Sequence, residues 1–224
     1  MKNLTDWFSR VYIISCQHTP GRLQAALDHL AATGLADLGG VKVHRGVIGA
    51  WTGQPNDWLA GAGAWGCHAS HRRLLEDVMH ERNEDMSFSL ESILILEDDV
   101  FFVDGALEKL NQFMESVPAD WDQIYLGGEH KAPSEKVNPK VCRGKSVNRT
   151  HAHAIHSRNY QNFYRHITLA SDFIQTRKHI DHQLEVAHQR KDWNVYCPHE
   201  WIAGQRENLS IITGLPTPQK IWQR

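Results

Sequence analysis

No apolar run in this chain approaches the ~18 residues that a membrane-spanning helix needs. The stretch from Met1 to Arg10 also lacks the apolar core and small-residue cleavage site of a secretory leader. Cysteine is scarce: Cys16, Cys67, Cys142 and Cys197 stand far apart, with no Cys-x-x-Cys pair. That spacing suits neither a zinc knuckle nor a disulfide scaffold. The expected compartment is therefore the reducing cytoplasm, with peripheral contact to an inner membrane left open. Charge of one sign is missing too, since 24 Lys and Arg face 26 Asp and Glu, for a net −2. A duplex-binding protein normally carries a basic surplus. Nucleic acid is thus disfavoured as a partner but not excluded, because a local basic groove is compatible with these totals. Internal repeats and low-complexity segments are absent as well.

What is present is ordinary globular material: 224 residues, 41% hydrophobic and 22% charged. That length fits one domain, whose folding hides roughly 70% of the surface of the unfolded chain. Eight tryptophans and fifteen histidines stand out. Tryptophan stacks on sugars and bases, yet core packing is its default use.

Val11 to Ser15 is a short β-branched run, read as a buried strand. Leu23, Ala26, Leu27, Leu30 and Ala31 then recur at helical spacing up to Gly34, and Val41, Val43 and Val47-Ile48 supply a second strand. Strand, helix, strand opens a parallel α/β sheet. Residues 49–64 show no period and read as a loop of functional length. A helix is expected from Gly66 to about Asn83, a fully buried strand over Ser92–Leu96, and a helix over Leu107–Met114 stopped by Pro118. A further strand over Asp122–Leu126 is expected to close at Gly127-Gly128, followed by a polar loop over 129–146. A strand over Ala152–Ile155, helices over Asn159–Ile167 and Ile180–Arg190, and a strand at Val195-Tyr196 complete the reading.

Glu97-Asp98-Asp99 falls directly at the carboxyl end of the most apolar strand. Ligands of open α/β sheets bind at that end. Three adjacent carboxylates raise one another's pKa, and a divalent cation removes the penalty. Oxygen-only donors favour Mg²⁺ or Mn²⁺, held by one or two carboxylates and by substrate phosphates. The bland alternative is a solvated acidic turn.

Leu96-Glu97-Asp98-Asp99-Val100 resembles the core motif of glycosyltransferase family 25, the lipooligosaccharide and collagen galactosyltransferase group. Gly66-Cys67-His68-Ala69-Ser70-His71 matches a segment that precedes that motif, and Trp121-Asp-Gln-Ile-Tyr-Leu-Gly127 matches a strand that follows it. Thr150 to Ile155, Ile180-Asp181, and Gln205 with Ser210 occupy the later places in order, so the resemblance runs over residues 11–212. One departure stands in the first strand, which in the family runs into an Asp-Arg pair; here Ser15 leads through Cys16-Gln17-His18 to Arg22.

The resemblance implies a GT-A fold: a single Rossmann-like α/β domain with a mostly parallel central sheet flanked by helices, its donor half near 11–128 and acceptor half near 129–224. It further implies a UDP-sugar donor, Mn²⁺ (or Mg²⁺), a saccharide acceptor and inversion at the anomeric carbon. Asp99 would be the direct metal ligand, assisted by Asp98, with Glu97 or Asp98 holding ribose or a metal-bound water. Ile14, Ser15, Arg22, Ser70, His71, Gln205 and Ser210 would contact the nucleotide-sugar. Asp181, between His179 and His182, is the first choice for the acceptor's base, followed by Glu129, although a first-turn Asp also serves a helix dipole. Ser70 and His71 are expected in the first turns of their helix, where free N–H groups seat phosphates. Pairing of His68 with His71, or of His179 with His182, permits a zinc reading, but helical zinc ligands more commonly stand at i, i+4. Two other functions remain open: transfer to a modified DNA base or protein side chain, and silent nucleotide-sugar binding.

Overall fold

The computed structural model describes residues 1–17, 19–56, 58–168, 179–190, 192–209, 212 and 215–222. The chain starts with a one-turn helix α1 (Leu4–Trp7), strand β1 (Arg10–Ser15), helix α2 (Pro20–Ala32) and strand β2 (Val41–Arg45). Next come a single turn α3 (Gly49–Thr52), the long helix α4 (Gly61–His80), and strands β3 (Ser92–Glu97) and β4 (Val100–Phe102). Helix α5 (Ala106–Met114) leads to β5 (Gln123–His130), β6 (Glu135–Lys136), β7 (Val141–Arg143) and β8 (Val147–His156). Helices α6 (Tyr160–Thr168) and α7 (Ile180–Ala187) precede β9 (Val195–Pro198), β10 (Ala203–Gln205), β11 (Asn208–Leu209) and β12 (Pro216–Thr217).

Eight strands form one sheet in the order β2-β1-β3-β8-β5-β9-β7-β6. The α/β class and the helix-flanked sheet are as expected, but the sheet is mixed. β1 runs parallel to both β2 and β3, and β5 to β9, whereas β8 opposes both of its neighbours and β7 opposes β6 and β9.

Strand periodicity divides the core into two layers. Val11 and Ile13 of β1, with Leu94 and Leu96 of β3, pack on one face among residues of α1, α2 and α5. Tyr12, Ile14, Ile93 and Ile95 point the other way, into a layer closed by α4, α6 and α7. Alternate side chains of a strand face opposite sides, so an uninterrupted apolar strand is one covered on both. Among the described residues no helix is long and apolar enough to cross a membrane.

Four sequence expectations need correction. Helix α4 starts at Gly61, not Gly66, so Ser70 and His71 lie mid-helix rather than at its amino end. Gly61 and Gly63 read as helix breakers, but packing overrides them. Trp58 Nε1 ties the segment before the helix to its first residue by donating to the Gly61 carbonyl (3.0 Å). Gly66 lets the helix touch the preceding segment, since a Cβ there would sit 2.6 Å from the Val47 carbonyl oxygen.

Second, β5 continues through Gly127-Gly128 to His130. Gly127 serves close packing instead of a turn: a Cβ would lie 2.3 Å from the Ala203 oxygen. Third, the expected loop over 129–146 contributes β6 and β7 to the sheet edge. Finally, Val47-Ile48 lies beyond β2 and is not a strand; Val47 is tied instead to α4 through Ser70.

Candidate active site

A cavity of about 560 Å³ opens where the carboxyl ends of β1 and β3 meet the start of β8. Its size is that of a small-molecule site. Glu97, Asp98 and Asp99 line it at the end of β3, and each carboxylate is held differently.

Asp98 is buried and fully engaged. Ser15 Oγ donates to its Oδ2 (2.7 Å), as does Thr19 Oγ1 (3.1 Å), while Arg22 Nη2 lies 2.6 Å from Oδ1. These partners come from the end of β1 and the start of α2, so Asp98 ties the β1–α2 turn to β3. The same Arg22 nitrogen lies 3.1 Å from Asp99 Oδ2. Gln205 Nε2 approaches both Asp99 oxygens at 3.3–3.4 Å. The antiparallel pairing of β10 with β4, which sets Gln205 opposite Val100, places that amide beside the acidic turn.

Glu97 is held by β8 and α4. Thr150 Oγ1 donates to its Oε1 (2.6 Å), and His71 Nε2 stands 3.6 Å from the same oxygen. Burial opposes the charge on Glu97, but the His71 imidazole and the Thr150 hydroxyl outweigh it and bring the pKa down to about 2. Glu97 is therefore ionised throughout the physiological range.

Helix α4 forms one wall. Ser70 Oγ donates to the Gly66 carbonyl (2.7 Å) and accepts from Val47 N–H (2.8 Å), so its hydroxyl fixes the 47–49 segment to the helix. Cys67 lies one turn before His71 on the same side and also lines the cavity. Burial pushes the Cys67 thiol well above its usual range.

Cationic and aromatic side chains also line the cavity. Arg149 has the unusual φ of +85° for a non-glycine residue. It borders the cavity with its guanidinium 4.5 Å from the Trp222 ring centre. Reciprocal backbone bonds between Gln205 and Lys220 (2.9 and 3.0 Å) bring Lys220 and Trp222 to the rim.

The family model described as glycosyltransferase family 25 (LPS biosynthesis protein) matches residues 59–190, more than half of the chain. The chain belongs to glycosyltransferase family 25. The matched span contains the α4 wall, the acidic turn, the start of β8 and α7. The probable inactive glycosyltransferase 25 family member 3 of Rattus norvegicus is 35% identical over 78 residues, 34% of this chain and 12% of that protein. The inactive glycosyltransferase 25 family member 3 of Mus musculus matches to the same extent. The chain thus aligns with only 12% of the length of these relatives.

Among solved structures, a glycosyltransferase involved in glycosylation of the major capsid of PBCV-1 superposes with a TM-score of 0.45 at 13% identity, covering 85% of this chain and 82% of that one. Mouse xyloside xylosyltransferase 1 gives 0.42 at 10% identity, with 82% of each chain covered. Both are distant likenesses.

Of the residues singled out in the family 25 sequence, Ile14, Arg22, Ser70, His71, Glu97, Asp98, Asp99 and Gln205 all line the cavity. Ser15 supports it through Asp98. Ser210 lies outside the described residues. The two base candidates stand apart from the lining. Glu129 is ion-paired with Lys131 (3.1 Å) and Arg149 (3.4 Å), and despite some burial these cations lower its pKa. Asp181 lies in the first turn of α7, accepting from His182 N–H (2.9 Å), and its charge is felt at Cys67 on the cavity wall.

Arg149, Lys220 and Trp222 were not singled out from the sequence. Neither the positive φ of Arg149 nor the pairing that returns the C-terminal segment to the cavity leaves a local pattern to read.

Proposed function

We propose that this family 25 chain transfers a hexose, galactose or glucose, from a UDP-sugar to a hydroxyl of a saccharide acceptor such as a lipooligosaccharide, with inversion. One observation carries the reading: three carboxylates and Arg22 converge at the strand ends on a cavity of about 560 Å³ that Arg149 and Lys220 also line. The four free cysteines accord with work in the cytoplasm, beside an inner membrane.

The acidic turn offers the donors of a hard divalent cation. Asp99 borders the cavity with carboxylate oxygens, the donor type that Mn²⁺ and Mg²⁺ take together with phosphate oxygens. Both oxygens of Asp98 are held at short range, by Ser15 (2.7 Å) and Arg22 (2.6 Å), whereas Arg22 and Gln205 reach Asp99 at 3.1–3.4 Å. The metal role is therefore given to Asp99, whose looser partners a cation would displace, and Asp98 holds Arg22 and the strand ends in place. A bound Mn²⁺ would act as a Lewis acid on the departing diphosphate.

The protein's own groups account for the rest. Arg149 and Lys220 would meet diphosphate charge, Trp222 would offer a face for the base or sugar, and Glu97 would accept from ribose hydroxyls. Asp181 would take the acceptor's proton, a contribution of about 10²–10⁴-fold for a positioned base. Glu129, charge-paired with two cations, is the weaker choice.

The test is UDP release from UDP-galactose and UDP-glucose with Mn²⁺, with and without a saccharide acceptor. Release should stop with EDTA and fall about 10²-fold or more in Asp99→Ala, the scale for losing one electrostatic stabiliser. Asp181→Asn should lower turnover while UDP affinity stays put. Unchanged release in Asp99→Ala would remove the acidic turn from the mechanism. UDP-sugar binding without turnover on any acceptor would favour a silent binding module, a reading in keeping with an Arg22 that already pairs with two of the carboxylates.

A further inference from the structure

Cys67 and His71 stand at i, i+4 on α4, the spacing that puts two side chains on one helix face. Glu97 comes to the same point from the end of β3. One donor atom from each of the three lies within 4.8 Å of the others. His71 is 1% exposed, and neither ring nitrogen makes a hydrogen bond. Its nearest acceptor, Glu97 Oε1, is 3.6 Å from Nε2, beyond a proper hydrogen bond. A buried imidazole with two unsatisfied nitrogens is costly, and this one faces a thiol and a carboxylate.

We propose that Cys67, His71 and Glu97 form a binding site for a soft divalent cation, Zn²⁺ being the ion whose chemistry they match. Sulfur, nitrogen and oxygen donors at usual zinc bond lengths sit roughly 3.3–3.6 Å from one another in a tetrahedron. The His71–Glu97 distance already meets that range, and a turn of the short Cys67 side chain brings in the third donor. All three residues line the cavity, so the fourth position opens onto it. Three protein ligands and one open place make an accessible site rather than a closed structural one. Binding releases the thiol proton to solvent, since thiolate is the coordinating form.

This site is distinct in kind from the carboxylate at Asp99. Thiolate and imidazole select zinc, whereas carboxylate and phosphate oxygens suit manganese and magnesium. Cys67, His71, Glu97 and Asp99 line the same cavity, so zinc held there competes for room with whatever the cavity binds.

The test uses the metal alone, with no donor or acceptor, so it stands apart from the transfer reaction. The reduced 224-residue chain is titrated with Co²⁺ and its absorption followed. The expected result is a thiolate-to-cobalt charge-transfer band with tetrahedral d–d bands, saturating at one equivalent and abolished by Zn²⁺ but not by Mn²⁺. Cys67→Ser, at a partly exposed helix position, should lose the charge-transfer band and weaken Co²⁺ binding at least tenfold while keeping its far-ultraviolet dichroism. Cys16→Ser and Cys142→Ser should keep the band. Absence of the band in the parent chain, or its survival in Cys67→Ser, overturns the proposal.

Discussion

Arg22 illustrates how much one side chain determines here. Its Nη2 lies within ion-pair reach of both Asp98 and Asp99, and Asp98 is almost wholly buried. Two adjacent carboxylates in such a place repel one another unless a cation stands by. Removing one partner of a buried pair leaves an uncompensated charge, which costs about 3–5 kcal/mol. Arg22→Leu is therefore expected to lower unfolding free energy by roughly 3 kcal/mol, with the Ser15 and Thr19 hydroxyls limiting the loss. Urea denaturation checks it, and a change under about 0.5 kcal/mol, the range of neutral surface substitutions, would mean the guanidinium is not needed to hold the turn. Family 25 resemblance places an Asp-Arg pair at the end of the first strand; in this chain the arginine arrives in the first turn of α2 and meets the acidic turn directly.

At the scale of elements, the contact between α4 and the segment after β2 sets the cavity's near wall. Gly66 makes it: a Cβ there would meet the Val47 oxygen at 2.6 Å and the Gly49 nitrogen at 2.8 Å, both backbone atoms. Alanine in a helix interior normally gains up to ~1 kcal/mol over glycine. Backbone atoms have no side-chain freedom with which to yield, so overpacking of about 1–3 kcal/mol outweighs that gain. Gly66→Ala should thus be net destabilising and should loosen the Val47–Ser70 hydrogen bond, read as a lower urea midpoint and faster amide exchange at Val47. A higher midpoint would show the contact to be slack.

The same contact explains what the sequence hides. Strands β1 and β3, helices α2, α5 and α6, and the place of the acidic turn were legible, because apolar periodicity and strand-end position are local properties. Three of the tryptophans, Trp58, Trp193 and Trp201, follow the default and are buried at 7% exposure or less, while Trp222 borders the cavity and Trp51 is 70% exposed. The start of α4 was misplaced because tertiary packing carries two glycines into the helix against their propensity. The edge strands β6 and β7 are two and three residues long, too short for a period to show. Arg149, Lys220 and Trp222 reach the cavity only through long-range pairing.

For the whole molecule, burial of histidine governs the response to acid. Desolvation lowers the pKa of His68 and of His151 to about 4, that of His188 to about 3, and that of His153 well below its usual value. Each is held neutral in the fold but binds a proton near pH 6.5 when unfolded. Below that pH the unfolded chain carries more protons, so stability rises with pH and is lost as pH falls from about 6.5 toward 4. Glu97, with its pKa lowered to about 2, adds a second loss in the same direction between its usual value near 4.5 and 2. Urea midpoints measured from pH 8 to pH 4 should fall steadily below pH 6.5, with net proton uptake on unfolding. A flat profile down to pH 5 would mean these imidazoles are not desolvated. The buried set also forms a polar chain behind the cavity, with Gln123 between His153 (3.1 Å) and His188 (3.2 Å).

The central claim concerns where the donor's charge is met, and a crystal structure of the chain with UDP and Mn²⁺ tests it most directly. The account predicts an anomalous manganese peak within coordination distance of Asp99 and of both UDP phosphates, with Arg149 or Lys220 on the diphosphate and Asp98 still bonded to Ser15 and Arg22. UDP bound elsewhere, or Asp99 turned toward bulk solvent with manganese remote from it, would contradict it.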